Sequence, residues 1–180
     1  MIKSIRILFV FLGFLGLVSN SFAADVTMRI SIQLPMKSHL GQNLLLFKND
    51  VEKKSNGEIE VQIYDSAQLY KDKEVPAAVG SGSIESGVAS LTRYVGDIPA
   101  VDLFYQPFLL NSEEKVRKAV AKGSSIRGPI DKAIEGTGST VLWWQAYGSA
   151  IMLSKGKAIK NPSDMKGKKV RVFGKTLGAF

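Results

Sequence analysis

From residue 26 the chain alternates, with apolar Val26, Met28, Ile30 and Ile32 separated by polar Thr27, Arg29, Ser31 and Gln33. A period of two gathers the apolar side chains on one face of a strand, and Pro35 ends it. Leu40, Leu44, Phe47 and Val51 then recur at helical spacing, with Ser38 placed to cap and Ser55-Asn56-Gly57 to stop. This predicts a helix over 40–54. Ile59, Val61 and Ile63 alternate again within 58–64. Strand, helix and strand in that order close naturally as a parallel βαβ unit, the mark of an α/β sheet.

Farther along, the pattern predicts a short helix over 72–79 and a third strand over 84–90, with Leu91 to Tyr94 at its carboxyl end. Asn111 followed by Glu114 resembles a capping box that opens a helix running to about Lys122, and a further helix is expected over 125–134. Segments 141–147, 151–154 and 168–173 read as strands, the last after the turn Asn161-Pro162-Ser163-Asp164. The chain stops soon afterwards at Phe180. It reads as cut in mid-domain, so apolar surface is expected to be exposed.

The first residues follow another logic. Lys3 and Arg6 precede a 12-residue run, 7–18, of ten apolar residues and two glycines, and Ser21-Phe22-Ala23 then supplies small residues at a cleavage site. Such a run is shorter than the roughly 18 to 20 residues that span a bilayer, so residues 1–23 are expected to be a cleaved secretory signal and the protein to be periplasmic.

Composition removes several chemistries. There is no Cys and a single His among 180 residues, so thiol nucleophiles, cysteine zinc sites and paired-histidine metal motifs are excluded. No complete phosphate-cradling glycine pattern is present, and no cofactor is expected. The formal charge of +8 is concentrated late, where eight basic residues within 155–175 stand against Asp164 alone. An exported protein rarely meets nucleic acid, so a solvated basic face is expected there, with no nucleic-acid partner.

In open parallel sheets, ligands bind beyond the carboxyl ends of the strands, where the loops diverge. Gln33, Ser90 and Arg93 are candidates by that position. In Val170-Arg171-Val172 the arginine should project opposite the two valines. A planar guanidinium can hold a carboxylate through two parallel hydrogen bonds; equally, Arg171 could be an exposed arginine among lysines. His39 lacks the elements of a serine-hydrolase site and lies at a helix start.

The chain resembles the solute-binding proteins of tripartite ATP-independent periplasmic (TRAP) transporters, the dicarboxylate-binding family. The resemblance rests on the exported start, Lys53-Lys54-Ser55-Asn56-Gly57, Gln68-Leu69, Gly82-Ser83-Ile84-Glu85, Pro107-Phe108, and the stretch from Pro162 through Asp164-Met165-Lys166-Gly167 to Val170-Arg171-Val172. It covers the sequence after the signal, yet only about the first half of a typical member.

The resemblance implies a two-lobed periplasmic-binding-protein fold of α/β type, truncated here to most of the first lobe, 24–147, and the start of the second, 148–180. It also implies a monomeric receptor that captures a small organic acid and delivers it to TRAP permease membrane subunits. Ligand-lining positions would be Gln33, Asp72, Ser90, Arg93 and Arg171, with aromatic Trp144 and Tyr147 near the crossing between lobes. Arg171 matches the arginine that pairs with the ligand carboxylate. Two departures point away from a simple C4-dicarboxylate or sialic acid and toward a monocarboxylate or less charged ligand: Gly148-Ser149-Ala150 stands where many members carry Gly-x-Arg, and Ser90 where some sugar-acid binders have a carboxylate. The alternatives are a periplasmic hydrolase or isomerase using His39 or Asp72, and a sensor module of the same fold.

Overall fold

The computed structural model describes residues 24–179. The expected signal peptide lies outside the described residues. Three strands, β1 (Val26–Ser31), β2 (Ile59–Tyr64) and β3 (Ser86–Gly87), form a parallel sheet in the order β2–β1–β3. Val26 faces Ile59 at one end of the first ladder and Ser31 faces Tyr64 at the other. The crossover is helix α1 (His39–Lys54), and Ser38 accepts a hydrogen bond from Gly41 N–H as its cap. Asn56 and Gly57 take positive φ at its end, as the stop signal required.

Alternation alone put Ile30 and Ile32 inside and Ser31 outside. In the structure all three are buried, because β1 is the middle strand and is covered on both faces. Ile30, Ile32 and Val61 pack on Leu40 and Leu44 of α1. On the other side, α2 (Val75–Gly80) contributes buried Val75 and Ala78. Ser31 is accommodated because its hydroxyl donates to Tyr70 C=O and accepts from Tyr70 N–H, both at 3.2 Å. Val26, at the strand's open end, stays 53% exposed.

On the outer strand β2, Val61 N–H donates to Glu52 at 2.9 Å and its carbonyl accepts from Lys48 at 2.5 Å. Two side chains of α1 thus occupy backbone groups that would otherwise invite another strand. These partners hold the Glu52 carboxyl below the usual carboxylate range, the Val61 N–H most of all.

A second cluster forms from Tyr94, Ile98 and Val101 with Ile130 and Ile134. It joins 3-10 helices at Leu91–Tyr94 and Pro99–Tyr105 to helix α4 (Arg127–Glu135), which follows α3 (Glu113–Val120). The cap of α3 is Ser112, accepting from Lys115 N–H; Asn111, expected in that role, instead accepts from the Lys115 ammonium at 2.8 Å. Helix α5 (Lys175–Ala179) was not anticipated.

The strands expected over 141–147, 151–154 and 168–173 do not form. A strand's N–H and C=O groups need a neighbouring strand, and the described sheet brings only β1, β2 and β3 together. Several apolar side chains in these segments stand open, with Ile151 75% and Leu153 84% exposed, while Val141 and Trp144 pack on the second cluster. The expected strand 84–90 likewise shrinks to Ser86–Gly87.

Candidate functional site

In the sheet order β2–β1–β3, the loops leaving β1 and β3 diverge between those strands, and a crevice opens at such a reversal. Gln33 sits in the first loop and Ser90 in the second. They meet there, with the Gln33 amide 3.3 Å from Ser90 Oγ. Asp72, from the connection after β2, comes in beneath them and is 8% exposed. Its Oδ1 accepts from Ser90 N–H at 2.8 Å, and its Oδ2 accepts from Arg93 Nε at 2.5 Å.

A carboxylate this close to Gln33 calls for the donor end of the amide. Turned that way, the Gln33 nitrogen donates to the two Asp72 oxygens at 3.1 and 3.2 Å, and its oxygen accepts from Ser90 Oγ at 3.3 Å. Four of the seven sequence-selected positions, Gln33, Asp72, Ser90 and Arg93, therefore form one hydrogen-bonded cluster. Arg93 is anchored through Nε alone; among the described residues its Nη1 and Nη2 have no hydrogen-bond partner. Its side chain is 35% exposed, so these donors are open to a bound molecule.

Tyr105 joins the edge of this cluster. Its hydroxyl accepts from Thr92 N–H at 3.3 Å. Burial pushes the phenol's pKa up, so the hydroxyl keeps its proton at neutral pH and remains a donor. No local pattern in the sequence marks Tyr105 for this place; the fold brings it to Thr92.

The other three positions lie elsewhere. Trp144 packs in the second cluster, donates its indole N–H to Asp131 at 2.7 Å, and lies 5.2 Å from the Phe104 ring. Tyr147 is half exposed and stands edge-on to His39 at 6.4 Å. Arg171 is exposed on an irregular segment, with its guanidinium 4.3 Å from the Phe173 ring centroid. Just beyond it, Gly174 lies against Thr92, and Thr176 donates a hydrogen bond to Asp102. This part of the chain thus runs beside the turn that carries Arg93.

His39 is exposed, with Nε2 3.4 Å from Ala146 C=O, and makes no hydrogen bond to Asp72. Among the described residues, no three His, Asp or Glu side chains gather where they could hold a metal ion. No helix there is long and apolar enough to cross a membrane.

The sequence pattern of the family described as bacterial extracellular solute-binding protein, family 7, matches residues 30–179. A solute-binding protein of Verminephrobacter eiseniae is 30% identical over 155 residues, covering 84% of this chain and 44% of the relative. The chain spans about half the length of the curated relatives it matches. Among solved structures, a TRAP periplasmic solute-binding protein from Chromohalobacter salexigens with bound D-glucuronate aligns at a TM-score of 0.76 and 22% identity, covering 84% of this chain and 50% of that one. One from Sulfurospirillum deleyianum with bound succinate aligns at 0.58 and 20% identity, covering 64% and 36%. These neighbours have a two-lobed α/β fold, and the described residues match part of it, with their own parallel sheet. The matched family is one of solute-binding proteins, so the catalytic alternative on His39 or Asp72 is set aside.

Proposed function

Because the chain belongs to the bacterial extracellular solute-binding protein family 7, we propose that it is an extracytoplasmic receptor that captures a small organic acid in the periplasm and hands it to a TRAP membrane permease. The observation that carries this reading is the Gln33–Asp72–Ser90–Arg93 cluster at the sheet's switch point. It presents the open donors of Arg93 beside the neutral polar side chains of Gln33 and Ser90.

Residues 24–147 form the first lobe and 148–180 begin the second. Gly148, at φ 123, supports a boundary there, since side-chain-bearing residues rarely take that backbone angle. Arg171 supplies the carboxylate partner from the second lobe, with Tyr147 at the crossing. A ligand touching both sides then favours the closed arrangement, which is the form presented to the permease.

Calorimetry on the full-length protein with a carboxylate ligand tests the assignment. Arg171→Ala is expected to weaken binding by about 2 to 5 kcal/mol, the loss on removing one member of a desolvated charge pair. Unchanged affinity would remove Arg171 from the site.

A further inference from the structure

The Asp72–Arg93 pair bears on the class of acid, an inference that rests on the receptor reading above. Arg93 commits Nε and its counter-charge to Asp72. Nη1 and Nη2 remain able to donate, but on a cation already balanced. Gln33 and Ser90 are neutral, so the cluster sums to zero charge. Such donors suit a neutral oxygen, a hydroxyl or an amide carbonyl. A ligand carboxylate brought to the same guanidinium would place two anions around one cation. Asp72 is nearly buried, where water screens repulsion poorly.

We propose that Asp72 is a built-in carboxylate that sets specificity. It reserves Arg93 for the hydroxyl-bearing end of the ligand and leaves Arg171 to take one carboxylate, so the ligand is a hydroxylated monocarboxylate rather than a dicarboxylate. Asp72 acts through Arg93 and is a positioning residue.

The test is calorimetric titration of the full-length protein with two matched pairs of acids, D-erythronate against meso-tartrate and D-gluconate against D-glucarate. Each pair differs only by a terminal hydroxymethyl in place of a second carboxylate. The monoacid of the pair that fits the cleft is expected to bind at least about tenfold tighter than its diacid. Asp72→Asn, which keeps the shape but removes the counter-charge, is expected to narrow or reverse that ratio. A purely structural role would weaken both acids together and leave the ratio unmoved, which would overturn the proposal. So would a wild-type protein that binds the diacid as well or better, and in that case the receptor reading stands. Should neither pair nor a wider panel of carboxylates bind, the receptor reading falls and this inference with it. The wild-type ratio needs no variant, so it decides even if Asp72→Asn does not fold.

Discussion

The Trp144 indole donates to one oxygen of Asp131 at 2.7 Å while Arg127 Nε donates to the other at 2.9 Å. The guanidinium also lies 5.5 Å from the centroid of the Trp144 ring, and its Nη1 donates to Val120 C=O at 3.0 Å. One buried arginine thereby ties helix α4 to the end of α3 and to the irregular segment after it. Trp144 is held as a strut of the second cluster.

Asp131→Ala would leave Arg127, whose side chain is only 10% exposed, without its counter-charge. The expected loss of stability is about 3 kcal/mol, typical for breaking one side of a buried ion pair. Trp144→Phe deletes only the N–H bond and should cost about 1 kcal/mol. Urea unfolding of both variants measures the two losses, and equal small shifts would show that the arginine is not held by this network.

Helix propensity and packing make opposite forecasts at Gly41. Alanine is the better helix former by about 1 kcal/mol, but a Cβ there would lie 2.6 Å from Met36 O and 2.7 Å from Met36 Cα. Those are backbone atoms of the loop that carries Gln33, and they cannot swing aside as a side chain can. Gly41→Ala is therefore expected to lower stability by about 1 to 3 kcal/mol, as overpacking does. A thermal midpoint at or above wild type would show that the loop yields freely.

Glu85 clasps Arg29 with both oxygens, at 2.8 Å to Nε and 2.6 Å to Nη2, and also accepts from Arg29 N–H at 2.9 Å. The side-chain hydrogen bond from Arg29, above all, holds the Glu85 carboxyl down at about 2 against an ordinary 4.5. A carboxyl with a depressed folded-state pKa adds stability above its unfolded pKa and loses it as pH falls through the folded one. The wild type should thus lead Glu85→Gln by a constant margin above about pH 5 and lose that margin between about pH 4.5 and 2. Chemical denaturation across that range reads the difference directly. A margin independent of pH would mean that the pair contributes nothing through its charge.

The local elements were legible because each was written in neighbouring residues. The β1–α1–β2 unit followed from a period of two, a helical period and a Ser cap, and α1 begins one residue before the expected Leu40. The candidate site was half legible. Position beyond a strand's end pointed to Gln33, Ser90 and Arg93, and family likeness added Asp72; the structure brings all four together. Nothing in the spacing of 131 and 144 announces that Asp131 takes the indole proton of Trp144, and no local pattern marks Tyr105 as a neighbour of Thr92.

The amino-acid order determined helices α1 to α4, the central strand, the parallel crossover and the family, because caps, periodicity and turn residues act over a few positions. The tertiary structure decided the rest: which alternating segments become strands, and which charges pair. Residues 168–173 carry a strand's pattern, yet a ladder requires a partner strand that the pattern cannot supply. Asp72 and Arg93 are ordinary charged residues until the fold places a nearly buried carboxylate against a guanidinium and leaves only part of that guanidinium open.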